Sequence, residues 1–286
     1  MSPLHFLSAP VKRRLVGQVR GLFNDQERGE TPVVRRPDDG LFGPRSVCWR
    51  VHGDVTTMMV GGVAALLLQM LHPAVLAGVW DHSAFRGDMI GRLRRTARFI
   101  AVTGFSSRED AAAAIAKVRE VHTRVKGILP DGTPYSADDP HLLAWVHVSE
   151  AVSFLDAWIR YAEPRMSMAD QDRYFAEFAL IAEALGADPV PRTRAAAEAL
   201  VTAFRSELKV DERTREVARM VLEQPAPSLA AKPFQLLTFE AAIDLLPDWA
   251  RAMHGLSGPG LARPVVRGGT WGLAGTLRWA FDLERR

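Results

Sequence analysis

His147 lies in the middle of an apolar stretch, Leu142-Leu-Ala-Trp-Val-His-Val-Ser-Glu-Ala-Val-Ser-Phe154, whose spacing predicts a helix. At 3.6 residues per turn Leu143, Ala151, Phe154 and Trp158 share its side, with Glu150 as the strongly polar neighbour. An imidazole in such surroundings needs a partner, because an unpaired buried polar group costs about 1–3 kcal/mol. It either hydrogen-bonds a neighbour or ligates a metal, and on these residues alone a satisfied core histidine outweighs a ligand. Upstream, Gly91-Arg-Leu-Arg-Arg-Thr-Ala-Arg-Phe99 places Arg92, Arg95, Thr96 and Phe99 on one face of a second helix. Arginine keeps its proton at working pH, so a convergent pair can clamp carboxylates such as haem propionates, or hold positive charge beside bound oxygen. The competing reading is a solvated arginine face. Taken with His147, the arginine helix points to a buried haem site.

The remaining reactive residues carry less. Glu150, one turn from His147, can orient a ring or bind a metal, but a dimetal carboxylate bundle needs repeated Glu-x-x-His pairs, and His147-x-x-Glu150 has that element reversed. His72-Pro73 and His82-Ser83 flank an apolar hairpin without the short His/Cys spacings of a zinc site, so helix-end capping or hydrogen bonding is the expected role. Cys48 has only His52 near it in sequence, and a buried or incidental thiol is favoured over a catalytic one. There is no Gly-x-Ser-x-Gly elbow, phosphate-cradling loop or dinucleotide fingerprint, which disfavours hydrolase and nucleotide-dependent readings.

The 286 residues, 48% hydrophobic and 24% charged, are enough for a sizeable core. The net charge of +3 is mild and the arginines are spread along the chain, so no nucleic-acid partner is expected. One cysteine permits no intrachain disulfide, which fits a cytoplasmic location. The run Val11-Lys-Arg-Arg-Leu15 can touch an anionic membrane surface but lacks the apolar core of a secretory signal. Val60 to Trp80 has no formal charge and is long enough to span a bilayer, yet Gln69, His72 and Pro73 interrupt it, so a core hairpin is expected and no integral membrane span.

These residues must be positioned by helices. Residues 1–45 read as an N-terminal arm with one amphipathic helix near Val11–Phe23, and 46–286 as a single large helical bundle-like domain. Helices are expected over 54–71, 73–80, 88–103, 108–126 (Ser107 cap, Gly127 stop), from Asp138 or Asp139 to Tyr161, over 168–185 (Ser167 cap, Gly186 stop), 191–208, 211–223, 233–254 with a break at Pro247, and 271–284. No sustained strand alternation appears, so the fold class is all-α.

Five segments occur in an order that resembles the bacterial and fungal family of mpaB-type oxygenases, of which the latex-clearing rubber oxygenases are distant members. They are Trp49-Arg-Val-His-Gly-Asp-Val55, Leu67-Leu-Gln-Met-Leu-His-Pro-Ala74, Asp81-His-Ser-Ala-Phe85, Gly91-Arg-Leu-x-Arg-Thr96 and Trp145-Val-His147. The resemblance covers about residues 40–165. It implies an all-helical fold, globin-like in enclosing one haem b between helices, with a histidine as axial iron ligand. His147 matches that histidine, and Arg92 and Thr96 match the arginine and threonine beside the haem. Arg95 stands where the rubber oxygenases have a distal lysine, a departure that matters because lysine can shed its proton or ligate iron and arginine only donates hydrogen bonds. The implied function is an oxidoreductase: a haem-dependent oxygenase or oxidase using dioxygen on an apolar small molecule. Met58, Met59, Leu67, Met70 and Leu71 are candidates for a greasy substrate pocket, although such residues at helical spacing are more often core. The alternatives are a non-catalytic haem carrier or sensor and a haem-free helical interaction protein.

Overall fold

The computed structural model describes residues 38–226 and 228–281, together with Lys12, Gly17, Val33, Arg35 and Arg36. The helix expected near Val11–Phe23 and the end of the one expected over 271–284 lie largely outside the described residues. What is described is all-α, with twelve helices and two short strands.

A short helix, α1 (Val47–His52), opens the core, capped by the Ser46 hydroxyl, which accepts from the Trp49 N–H. Six residues are too few to establish a periodicity, which is why the sequence pattern starts the helical core only at residue 54. Asp54 then caps α2 (Val55–Gln69) by accepting from the Thr57 N–H. The chain turns at His72-Pro73 into α3 (Pro73–His82), with 103° between the two axes, so the long apolar run is a bent pair. The turn is built locally. Pro73 takes the first helical position, where a missing N–H costs nothing, and His72 caps the helix through Nδ1, which accepts from the Ala74 N–H at 3.3 Å.

α4 (Met89–Phe105) is capped by Asp88 and carries the arginine motif. α5 (Arg108–His122) begins at the expected Ser107 cap but stops short of Gly127. Instead Lys126–Ile128 (β1) pairs antiparallel with Pro134–Ser136 (β2), with Gly127 opposite Tyr135. A Cβ on Gly127 would lie 2.6 Å from the Tyr135 hydroxyl, so this glycine serves a close strand contact. Asp139 caps the central helix α6 (Pro140–Tyr161). α7 (Met168–Leu185) runs from the Ser167 cap to Gly186, whose φ of +97° closes it in the left-handed region that glycine adopts without strain.

α8 (Arg194–Phe204), α9 (Glu212–Leu222), α10 (Lys232–Leu245), α11 (Asp248–His254) and α12 (Arg263–Phe281) follow. Pro247 separates α10 from α11 as expected, whereas α12 begins eight residues before the expected start at 271.

α6 is the spine. It packs along α2 and against α7 and α8, and α2 is covered on other sides by α10 and α12. This explains why α2 is apolar all round: it is enclosed. The approach of α2 to α6 depends on Gly61, where an added Cβ would meet the Ser153 carbonyl oxygen at 2.8 Å and the Phe154 ring at 2.9 Å. Trp145, Phe154, Tyr161, Tyr174, Phe175 and Phe204 fill the core around this axis. Among the described helices α6 is the one long and apolar enough by itself to cross a membrane, and 67% of that stretch is buried inside the protein.

Candidate functional site

The sequence folds His147 into the interior because α6 places it one turn from Leu143 and Ala151, all three closed into the core. Its ring tilts against Phe178 of α7, with centroids 4.9 Å apart. Nε2 is buried and has no hydrogen-bond partner. Burial lowers the imidazole pKa to about 4, so near neutral pH the ring is uncharged. A neutral, dry imidazole with an unpaired ring nitrogen is the donor chemistry that a haem iron takes.

Glu150 lies one turn along α6, half-buried, and burial pushes its pKa up to about 7 against a side-chain hydrogen bond from Gln69. Gln69, at the end of α2, also donates to the Val146 carbonyl at 3.3 Å, and its own carbonyl accepts from the Trp145 indole N–H at 3.3 Å. The stretch of α6 just before His147 is therefore fastened to α2 by polar bonds as well as by packing.

A second buried histidine completes this region. His52, the last residue of α1, packs edge-on against the same Phe178 ring at 4.8 Å and against Phe154 at 5.5 Å. Its Nε2 lies 3.0 Å from the Tyr174 hydroxyl, while Nδ1 is buried without a partner. Burial lowers its pKa to about 3. His52 belongs to the first of the sequence segments that carried the family resemblance, but nothing around it in sequence marks it as buried, because Tyr174 and Phe178 lie more than 120 residues away.

The arginine motif has a different setting. Arg92 is half-buried and its Nη1 donates to the Ser83 hydroxyl at 3.1 Å, tying α4 to the end of α3; burial first and Arg95 second lower its pKa. Arg95 is exposed and pairs with Asp88 at 3.2 Å. Thr96 is exposed, and its hydroxyl donates to the Arg92 carbonyl at 3.3 Å. The structure therefore brings His147, Glu150 and His52 into one buried region, and sets Arg92, Arg95 and Thr96 along α4, which packs chiefly on α5 and α1. Leu67, Met70 and Leu71 are closed into the core, while Met58 and Met59 are half-buried.

His72 and His82 take structural parts. Since His72 Nδ1 accepts a backbone N–H, the neutral ring carries its proton on Nε2, which donates to Glu207 at 3.3 Å. His141 reaches the same carboxylate at 3.0 Å. A metal at His72 Nε2 would need the opposite tautomer and would break the cap, and among the described residues no group of three or more His, Cys, Asp and Glu is arranged to hold a metal ion. His82 is exposed, with Nε2 3.0 Å from the Lys126 carbonyl. Cys48 is buried, and burial first and the Glu177 carboxylate second hold its thiol pKa well above the ordinary value, so it is no nucleophile.

Residues 49–279 match the model of a protein family described as ER-bound oxygenase mpaB/B'/rubber oxygenase, catalytic domain. No curated protein and no solved structure matches the chain.

Proposed function

This chain belongs to the family of mpaB/B' and rubber oxygenase catalytic domains, and from that premise we propose that it is a haem b-dependent oxygenase acting with dioxygen on an apolar small molecule, with His147 as the axial ligand. The observation that carries the reading is the buried Nε2 of His147, which has no partner in the fold. An orphaned buried nitrogen costs about 1–3 kcal/mol, and a ligand supplies the missing bond.

Bound haem supplies an iron at which dioxygen is activated. The chain's own residues do the rest. His147 offers an uncharged nitrogen because burial keeps the proton off, and Phe178 holds the ring in place. Arg92, anchored to Ser83 and partly desolvated, suits a clamp for a propionate carboxylate. Arg95 and Thr96, both exposed on α4, enter the proposal through their match to the family motif: they would supply positive charge and a hydrogen-bond donor beside bound dioxygen, where developing negative charge is favoured. Helices enclosing the haem in globin-like fashion, a domain beginning near residue 46 and a cytoplasmic location belong to the same proposal; the location is supported by the lone, buried Cys48.

The test is spectroscopic. The chain, expressed with haem precursor, is expected to purify coloured with a Soret band, and acid–organic extraction is expected to remove the colour because no Cys-x-x-Cys-His attachment motif is present. His147→Ala is expected to lose haem while His72→Ala and His82→Ala keep it. A colourless protein after reconstitution, or full haem occupancy with an unchanged spectrum in His147→Ala, overturns the assignment.

A further inference from the structure

Helix α12 presents an outward face without charge. Val265, Gly268, Trp271, Gly272, Gly275 and Trp279 fall on that side at 100° per residue, and all six are exposed. Val265 is 74%, Trp271 56% and Trp279 43% accessible, and Leu261, in the turn that leads into the helix, is fully accessible. The hydroxyl on this side, that of Thr276, is bonded back to the Gly272 carbonyl at 2.9 Å. The apolar surface continues into α10, since a Cβ on Gly269 would touch Leu237 at 3.4 Å, and Phe234 and Leu236, three residues and one residue before Leu237, are exposed.

Charge lies along one flank of α12 and has one sign. α12 itself contains no aspartate or glutamate, whereas Arg263, Arg267 and Arg278 line the edge between the exposed and buried sides, Arg278 being paired with the buried Asp54 at 2.6 Å. Arg263 and Arg267 share the single buried carboxylate of Asp244 with Arg160, which leaves an excess of positive charge there. Lys12 Nζ lies 4.2 Å from the Trp279 ring centroid, but this lysine is buried and the surface charge rests on Arg263 and Arg267. A protein partner matching this surface would need an apolar strip bordered by acids; an anionic bilayer offers that arrangement everywhere, with acyl chains beneath a sheet of negative headgroups. Tryptophan is the side chain that settles at such a boundary.

We infer that the exposed face of α12 docks the protein on an anionic lipid bilayer, with Trp271 and Trp279 in the interface and Arg263 and Arg267 against the headgroups. The inference stands apart from the haem assignment.

Flotation of the full chain with phosphatidylcholine vesicles carrying an equal share of phosphatidylglycerol tests it, with pure phosphatidylcholine and raised salt as controls. Binding to the anionic vesicles is expected, and weakening with salt. Gly272 is the point of leverage, because an added Cβ there meets no atom within 4 Å and the helix accepts a side chain. Gly272→Asp, which puts a carboxylate amid the face, and the double variant Trp271→Ser/Trp279→Ser are each expected to weaken binding about tenfold or more while the melting temperature holds. Gly272→Ala is expected to bind as the parent does. Failure of the parent chain to float overturns the inference, as does undiminished binding by Gly272→Asp or by the double tryptophan variant. It is equally overturned if light scattering shows a dimer that Gly272→Ala breaks, which would assign the face to a second copy of the chain packed against the glycines.

Discussion

Arg92 and Arg95 stand one turn apart on α4, yet their surroundings separate them. Arg92 is partly desolvated and reaches across to Ser83, so its removal takes away both a link between α3 and α4 and, in the proposed function, a carboxylate clamp. Arg95 is 53% accessible and makes an ion pair with Asp88, an arrangement worth about 0–1 kcal/mol. Arg95→Ala is therefore expected to leave the denaturant midpoint nearly unchanged and to retain haem, with slower oxygen-dependent turnover, whereas Arg92→Ala is expected to lower haem occupancy. Spectral titration with haem and dioxygen binding to the ferrous form check both; unchanged oxygen affinity and autoxidation in Arg95→Ala would return that arginine to the solvated face. The difference between the two was not legible in Gly91-Arg-Leu-x-Arg-Thr96, because i and i+3 share a helix face while burial depends on what lies opposite. The burial of His147 was legible, since its own helix supplies apolar neighbours; that of His52 was not, since its neighbours arrive from α6 and α7.

At the scale of elements, Asp244 on α10 shows how the helices around α2 are locked. Its carboxylate is 1% exposed and meets Arg160 of α6 at 3.2 Å and Arg267 of α12 at 2.7 Å, with Arg263 Nε 3.0 Å from the other oxygen. Removing Asp244 leaves arginines whose side chains are 29–44% exposed and can be solvated, so the loss is that of hydrogen bonds to a charged group, about 1.5–3 kcal/mol. Asp244→Ala is thus expected to lower the unfolding free energy by roughly that amount, read as a shifted denaturant midpoint at unchanged slope. Gly61→Val, which forces α2 away from Ser153 and Phe154 of α6, is expected to cost about 1–3 kcal/mol by the same measurement. These long-range ties leave no mark in a local pattern, which explains what the sequence reading reached and missed. Caps such as Ser107 and Ser167, a cap at Asp138 or Asp139, and the break at Pro247, were readable because their chemistry lies within a few residues. α1 and the β1–β2 hairpin were not, since six- and three-residue elements exist only by virtue of what they pack against. Gly127 reads as a helix stop, but it serves a strand pair because Tyr135 lies across from it.

For the whole molecule, the buried titratable groups set a pH dependence whose sign can be worked out group by group. His52 and His147 are held neutral by burial, to about 3 and about 4, whereas an unfolded histidine titrates near 6.5. Below that value the unfolded chain takes up protons that the folded chain refuses, so stability falls as pH drops from about 6.5 toward the folded values. Burial shifts His72 and His254 in the same direction. Glu150 acts oppositely: with its pKa raised to about 7, the folded chain keeps a proton that the unfolded chain releases above about 4.5, so its contribution to stability declines as pH rises between those values. Histidines outnumber this carboxyl, so the haem-free chain is expected to melt at progressively lower temperature as pH is taken from 7 to 4.5. Glu150→Gln is expected to steepen that fall, because it deletes the opposing slope, and to raise stability at pH 7 relative to the parent. Thermal unfolding across this range, followed by circular dichroism, decides the matter: a melting temperature flat from pH 7 to 4.5, or a shallower profile in Glu150→Gln, would mean that these groups reach solvent and that the region around His147 is wet.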